Sequence, residues 1–433
     1  MIDFFRTVIF FLFISSLINA SVLASGVAQQ VDRTTDQIEL KVEKIQLLPT
    51  NPSAALDVDF YQNNAYECGL SGNYTFVVMN PANNASAEAP LWIFLHGGGS
   101  GFFDEAGVYQ TLTMLTKNDY NHQENIDRLY EYEVLSSLLK APNYDQTVDN
   151  TLMRRITEGY RILAVSMCDH DMYMGLGNEY PNNPISDREV NGLQATMAAI
   201  DFVTASYPTT HVFTHGESAG SYGAWALAFS YASEGTPFTG VIADSGISSP
   251  RLLPLQDAFN GMDYSWWFYD EGLTKEGIDE KLGFYIDFAS KVDPETLINA
   301  DYRDSPTLFL FGDRDPFCAG KGNTNWHHGI YETVGSGYMN NCVWLYDGVA
   351  NSIANQLNSP HQVVKLVGES HVPTHYAVDA ANDAVDDFIN DILASNPPHP
   401  FALATVAVPF LPALGAIMLS LIFLLIGRKR LKV

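Results

Sequence analysis

The sequence predicts an α/β fold, in which a mostly parallel β-sheet carries helices on both faces. Short apolar runs recur along the chain, and most are continuous, which is typical of strands covered on both sides. Helical patterns separate these runs, as they do in α/β proteins. The runs lie at 74–79, 91–95, 161–165, 211–214, 240–243, 307–311 and 363–367, and a further strand is expected at 38–47 within the polar region 29–65.

Local signals predict three helices between and after these strands. Ser186-Asp187-Arg188-Glu189 has the form of a capping box, and Pro208 would end the helix that follows it. Residues 219–230 are small and apolar, as in a helix packed on a sheet. Apolar residues spaced over 385–392 predict a final amphipathic helix, which His375 is expected to open.

Length and composition indicate one folded domain with cap-like insertions. The chain has 433 residues, of which 46% are hydrophobic, so it can form a sizeable core. We place the domain at 29–394, with insertions at about 101–160 and 247–305 that are expected to cover the strand ends. Its 50 acidic and 23 basic residues give a net charge of −27, which excludes nucleic acid as a partner.

Both ends of the chain carry patterns of export and membrane attachment. Residues 1–28 have the layout of a secretory signal peptide: a basic residue, a short apolar run and small residues at candidate cleavage sites. Residues 395–400 form a proline-rich linker, and 401–433 combine an uncharged apolar run with a basic end. That run is long enough to span a bilayer, so we expect a transmembrane tail with the domain outside the cytoplasm.

The same tail resembles bacterial C-terminal sorting signals of the PEP-CTERM and GlyGly-CTERM kind, which also join a short motif, an apolar helix and a basic end. The resemblance implies a sortase-like protease as a processing partner and release or re-attachment of the protein after export. A permanent membrane anchor is the alternative.

Chemistry is concentrated at Gly216-Glu217-Ser218-Ala219-Gly220, between a predicted strand and a predicted helix. A G-x-S-x-G motif in that context is a nucleophile elbow, with Ser218 as the nucleophile. The glycine loop that follows residue 95 supplies Gly97 and Gly98, whose N–H groups would form an oxyanion hole together with that of Ala219.

A serine nucleophile needs a general base and an orienting acid. His371, in the loop after the last predicted strand, is the expected base, and His375 is its competitor. Asp315 is the preferred acid after the strand at 307–311, and Asp313 is the alternative. Because Pro373 separates the two histidines, they cannot form a helical metal-binding pair, and we expect neither a metal nor a cofactor.

Together these motifs resemble the α/β-hydrolase superfamily and, within it, the pectin acetylesterase/Notum family. The closer resemblance rests on the glycine loop, on the segment from Cys168 to Gly175, and on Gly216–Gly220 with Tyr222-Gly223-Ala224; Asp244-Ser245-Gly246 also fits. It implies hydrolysis of carboxylic esters by a Ser-Asp-His triad, with an acylated glycan as one expected substrate. Tyr173, Trp266 and Trp267 are expected to line the substrate pocket.

Other functions remain open on these residues alone. A serine peptidase, a lipase or a thioesterase would use the same triad, and a non-catalytic surface binding protein could keep the fold. Four cysteines in an exported chain also predict disulfides, which we assign as Cys318–Cys342 and Cys68–Cys168.

Overall fold

A computed structural model of the chain describes residues 31, 33–47, 56–68, 72–81, 84–97, 101–103, 106–107, 109–111, 150–168, 170–179, 184, 189–246, 305–312, 361–369, 371–376 and 378–395. The strands within these residues are β1 Ile38–Leu47, β2 Leu56–Glu67, β3 Asn73–Met79, β4 Ala89–Leu95, β5 Gly101–Phe103, β6 Tyr109–Thr111, β7 Arg161–Val165, β8 Asn178–Glu179, β9 Glu189–Val190, β10 Thr209–Glu217, β11 Gly240–Asp244, β12 Thr307–Gly312 and β13 His361–Leu366. The helices are α1 Thr151–Thr157, α2 Gly192–Ser206, α3 Ala219–Ser233 and α4 Asp379–Ser395.

Nine of the described strands form one sheet, in the order β1-β2-β3-β7-β4-β10-β11-β12-β13. The six strands from β7 to β13 in this order run parallel, whereas β1, β2 and β3 are joined by antiparallel pairing and β3 lies antiparallel to β7. Crossover connections and a mostly parallel sheet with helices on both faces give the α/β-hydrolase fold, so the predicted fold class is confirmed.

Side chains of the central strands alternate between two apolar layers. On β4, Leu91 and Ile93 enter a cluster with α2 and α3, whereas Trp92 and Phe94 enter a second cluster with α1 and α4. Helices therefore cover both faces of the sheet, which explains why its strands are continuous apolar runs in sequence. On the second face, Arg154 and Arg155 of α1 both form ion pairs with Asp386 of α4.

Two local predictions are wrong. Glu189 belongs to β9, which pairs with β8, so Ser186-Asp187-Arg188-Glu189 does not cap the helix. That helix, α2, begins at Gly192, and its first N–H donates to the carboxylate of Asp171 at 2.8 Å. His375 does not open the last helix either, because α4 begins at Asp379.

Neither predicted disulfide is shown. Cys68 and Cys168 are both buried in the same apolar cluster, and the structure does not show a disulfide between them. Cys318 and Cys342 lie outside the described residues, as do the signal peptide at 1–28, residues 112–149 of the first predicted insertion, segment 247–304 and the tail at 401–433. None of the helices that the structure describes is long and apolar enough to cross a membrane.

Candidate active site

Ser218 occupies a strained turn between the end of β10 and the start of α3. Its backbone angles are φ 53° and ψ −114°, in the left-handed half of conformational space that residues with a Cβ rarely adopt. Such a conformation costs about 1–3 kcal/mol and persists only where the surrounding structure enforces it. Ser218 is also partly exposed, although its neighbours Glu217 and Ala219 are buried.

The two glycines of the motif make this turn sterically feasible. A Cβ at Gly216 would lie 2.1 Å from the carbonyl oxygen of Gly220, and a Cβ at Gly220 would lie 2.0 Å from that of Leu95. Both distances are far inside van der Waals contact with backbone atoms. Glycine is therefore required at both positions for strand, turn and helix to pack this closely.

Backbone hydrogen bonds fix the turn further. The Ser218 N–H donates to the carbonyl of Asp244 at the end of β11, at 2.8 Å, and the Ser221 N–H donates to the carbonyl of Ser218 at 3.0 Å. Ala219 is the first residue of α3, where helical N–H groups have no acceptor within the helix and the dipole favours negative charge.

The loop after β4 lies directly against the elbow, because β4 and β10 are parallel neighbours. A Cβ at Gly97 would lie 3.1 Å from both the Cβ of Ser218 and the carbonyl oxygen of Glu217. Gly97 thus adjoins the proposed nucleophile, as expected of an oxyanion loop. Gly98, its predicted companion, lies outside the described residues.

His96 anchors this loop and is neutral near pH 7. Burial lowers the pKa of His96 to about 4, against the opposing effects of its bond to Gly97 and the charge of Glu217. Its Nδ1 lies 2.7 Å from the carbonyl oxygen of Gly97, so Nδ1 carries the proton and donates. The His96 ring packs edge-on against Tyr173, with 5.9 Å between ring centroids.

Tyr173 packs in the interior of the fold, and its place in the substrate pocket stays a prediction. The side chain is completely buried, its hydroxyl donates to the carbonyl of Val165 at 3.2 Å, and its Cβ leaves no room for a side chain at Gly223. Tyr173 therefore fills the space between the loop after β4 and α3. Trp266 and Trp267, the other predicted pocket residues, lie outside the described residues.

The segment that carries Tyr173 is strained and is organised by one carboxylate. His170, Met172 and Tyr173 all have positive φ, between 52° and 60°. The buried Asp171 accepts hydrogen bonds from the N–H groups of Tyr173, Gly175 and Gly192 at 2.8–2.9 Å. These three charge-assisted bonds hold the turn and, at the same time, cap α2.

His371, the predicted base, lies in a loop held against the end of β11. The N–H of the next residue, Val372, donates to the hydroxyl of Ser245 at 2.8 Å. Ser245 follows Asp244, whose carbonyl accepts from the Ser218 N–H. The loop that carries His371 is therefore held by Ser245, and Ser218 is held by the adjacent residue, Asp244.

His375, the predicted competitor for the role of base, is paired with an acid that the sequence interpretation assigned no role. Its Nδ1 lies 3.0 Å from Oε2 of Glu217, and Glu217 is only 5% exposed. Burial raises the pKa of Glu217, but the charge and hydrogen bond of His375 outweigh it and hold the pKa below its ordinary value.

Asp244 forms a second buried acidic centre beside the elbow. Its carboxylate accepts from the backbone N–H of Thr374 at 3.0 Å, from the Thr374 hydroxyl and from the Ser245 hydroxyl. Burial raises the pKa of Asp244 from 3.8 to about 7; the hydrogen bonds oppose this rise and the charge of Glu217 adds to it. The Thr374 hydroxyl, which donates to Asp244, accepts from Nε2 of His215 at 3.0 Å.

The predicted acids cannot be located on this structure. Asp313 and Asp315 follow β12 immediately but lie outside the described residues, so the choice between them stays a prediction. Among the residues that the structure does describe, no group of three or more histidine, cysteine or acidic side chains is arranged to hold a metal ion.

The chain is similar to solved protein structures, but not to any known sequence family. No protein-family model matches the chain, and no curated protein matches it. An S-formylglutathione hydrolase from Agrobacterium tumefaciens is 11% identical with a TM-score of 0.42, over 82% of this chain and 99% of its own. An acetyl xylan esterase from Paenibacillus sp. R4 is 14% identical with a TM-score of 0.42, over 82% and 88%. A brefeldin A esterase, described as a bacterial homologue of human hormone-sensitive lipase, is 13% identical with a TM-score of 0.41, over 88% and 86%.

Proposed function

We propose that the chain is a serine hydrolase that cleaves carboxylic esters, with Ser218 as its nucleophile. The observation that carries the proposal is the strained Ser218 turn, which combines a partly exposed residue with the N-terminus of α3 and the adjoining Gly97. Strain of this kind is maintained at functional sites, where it aims a side chain that an ordinary turn would bury.

In the proposed reaction, His371 takes the proton from the Ser218 hydroxyl as the oxygen attacks the ester carbonyl. The N–H groups of Ala219, Gly97 and Gly98 stabilise the negative charge that develops on the carbonyl oxygen. His371 then protonates the departing alcohol, which leaves an acyl group on Ser218. A water molecule that gives its proton to His371 releases the acid and restores the serine.

Asp315, or Asp313 in its place, would orient His371 and stabilise its protonated form. The position of both residues directly after β12 supports this role, since strands β10 to β13 are adjacent and end on the same side of the sheet. No step of the scheme requires a metal ion or an organic cofactor.

For the substrate we propose an acylated glycan, on the resemblance to pectin acetylesterases described above. The net charge of −27 disfavours a strongly anionic polymer, so a neutral acetylated polysaccharide fits better than de-esterified pectin. We further propose an exported protein, held at the cell surface by the tail at 401–433 or released from it by a sortase-like protease.

The test compares the full-length protein with its Ser218→Ala variant on short p-nitrophenyl esters, acetylated xylan, a triglyceride, an acyl thioester and a peptide. We expect ester hydrolysis by the wild type and a loss of about 10⁴-fold or more in the variant. Ser233→Ala, near the other end of α3, is the matched control and should retain full activity.

The substrate panel also separates the competing functions. Dominant cleavage of the peptide, triglyceride or thioester would replace the esterase by a peptidase, lipase or thioesterase. Hydrolysis that is equal in wild type and Ser218→Ala, or absent from both, would contradict the proposal and favour a binding protein.

A further inference from the structure

Polar contacts made by three residues attach residues 371–376, here called the base loop, to the strand ends beside Ser218. The Val372 N–H donates to the Ser245 hydroxyl at 2.8 Å, and the Thr374 N–H donates to the Asp244 carboxylate at 3.0 Å. The third contact joins Nδ1 of His375 to Oε2 of Glu217 at 3.0 Å. Val372 and Thr374 contact the end of β11, Thr374 also contacts His215 of β10, and His375 contacts the nucleophile elbow through Glu217.

Glu217 is well suited to a charged role in this contact. It directly precedes Ser218, and the elbow geometry sets no requirement on its side chain, which is nevertheless almost fully buried. A carboxylate removed from water is stable only if it is paired with a positive charge or well hydrogen-bonded.

Among the described residues, three imidazoles lie near Glu217, and His375 is the one of these three that can supply that charge near neutral pH. Burial lowers the pKa of both His96 and His215 to about 4, so both are neutral. Burial also disfavours the charged form of His375, but the charge and hydrogen bond of Glu217 and the charge of Asp244 outweigh it and raise the pKa of His375 above its ordinary 6.5.

We infer that Glu217 and His375 form a positioning ion pair for the proposed hydrolysis, holding the base loop so that His371 meets Ser218, and that the pair persists only while His375 is protonated. The inference rests on the proposed function of Ser218 and His371. In this scheme His375 does not touch the reacting atoms, because its Nδ1 is hydrogen-bonded to Glu217. His375 acts instead by holding the base loop in place.

The Glu217–His375 pair makes the activity depend on pH. Among the described residues, the groups that face His375 include Glu217 and His215 from β10, Asp244 from β11 and the adjacent Tyr376 ring, at 4.9 Å between ring centroids. Because the pKa of His375 is raised by folding, the pair is complete below that pKa and is lost as the pH rises through it. Loss of the pair loosens the base loop, so kcat should fall on the alkaline side.

The experiment measures kcat and KM for p-nitrophenyl acetate from pH 5 to pH 10 in the full-length wild type, His375→Gln and Glu217→Gln. Displacing a catalytic group by about 1 Å costs on the order of 10²-fold in rate. We expect kcat to fall by about 10–100-fold in both variants, with KM within about threefold of wild type and without the alkaline decline. His211→Gln, at the opposite end of β10, is the matched histidine control and should keep the wild-type rate and profile.

A second measurement does not depend on activity. Histidine side chains of the full-length Ser218→Ala protein are followed by NMR over the same pH range, and the His375 signal is identified by its absence from a His375→Gln spectrum. We expect His375 to titrate above pH 6.5, and at a lower pH when Glu217→Gln is added.

The outcomes separate this inference from the proposed function. Unchanged kcat and an unchanged alkaline limb in His375→Gln and Glu217→Gln, alongside an inactive Ser218→Ala, would overturn the pair and leave the hydrolase standing. If the wild type shows no hydrolysis, the proposed function fails, and the positioning role fails with it even where NMR shows the ion pair. Titration of His375 at or below pH 6.5 overturns the inference in either case.

Discussion

Asp244→Asn should make the stability of the protein much less dependent on pH. The Asp244 carboxyl is fully buried, and burial raises its pKa from 3.8 to about 7. The folded state therefore binds a proton at pH values where the unfolded chain has lost it. Stability from this group is complete below pH 3.8 and is lost as the pH rises to about 7.

The size of the effect follows from the shift. One pKa unit is worth about 1.4 kcal/mol, so a rise from 3.8 to about 7 corresponds to about 4 kcal/mol of stability lost between pH 4 and pH 8. Asparagine has the shape of the protonated acid and cannot ionise. Its oxygen can accept from Thr374, and its amide can donate to the hydroxyl of Ser245, so the local contacts are largely kept.

Urea unfolding at closely spaced pH values tests this expectation. At each pH we compare the free energy of unfolding of Asp244→Asn with that of the wild type. The variant should become more stable relative to the wild type as the pH rises, by up to about 4 kcal/mol between pH 4 and pH 8. Asp387→Asn, which removes an exposed carboxylate of α4, is the charge-matched control and should stay within about 0.5 kcal/mol of wild type. A flat difference for Asp244→Asn would refute the reasoning, since it would mean that Asp244 is stably ionised in the folded protein.

Three further substitutions test the geometry of the elbow and its supports. Gly97→Ala places a Cβ 3.1 Å from Ser218 Cβ. Esterase assays should then show kcat reduced by about 10–10³-fold with KM little changed. An unchanged kcat would mean that Gly97 is not part of an oxyanion loop. Gly216→Ala places a Cβ 2.1 Å from the carbonyl oxygen of Gly220, so thermal unfolding should show a loss of about 3 kcal/mol or more, whereas a wild-type Tm would contradict the turn. Asp171→Ala leaves three N–H donors without their carboxylate and should cost more than about 3 kcal/mol by urea titration; a loss below about 1 kcal/mol would show that Asp171 does not organise its turn.

The strands of the central sheet were predictable because burial on both faces leaves continuous apolar runs. β7 matches its predicted range fully, and β4, β10 and β12 extend theirs by a few residues. β2 was missed because it was included in the polar region 29–65, although Leu56, Val58 and Phe60 alternate with aspartates as in a half-buried strand. Its Asn63 is 1% exposed, yet it is satisfied by the carbonyl of Thr34 and the N–H of Ala65, a long-range and a local bond that no periodicity reveals.

The strained turn at Ser218 could be predicted because its signal is local: two glycines, a serine and the strand and helix around them. The environment of the site could not be predicted from the sequence, because its contacts join residues that are far apart in the chain. His375 and Glu217 are separated by 158 positions, and Thr374 and Asp244 by 130. Tyr173 was placed in the pocket on its aromatic character, which does not distinguish a substrate contact from a side chain packed behind the loop after β4.

Capping of α2 illustrates the same limit. A local capping box would have satisfied the helix N-terminus with residues adjacent in sequence, and Ser186-Asp187-Arg188-Glu189 has the right spacing. The structure instead caps α2 with Asp171, 21 positions before Gly192, because that carboxylate is already buried to hold its own turn. A cap supplied by tertiary structure removes the need for a local one.

The most direct measurement of the central claim is to treat the full-length protein with a fluorophosphonate, which forms a covalent adduct with activated serine nucleophiles, and to map the adduct by peptide mass spectrometry. Our account predicts a single modified residue, Ser218, with hydrolysis lost in proportion to its labelling. Modification of another serine, or full inhibition with Ser218 unmodified, would contradict it.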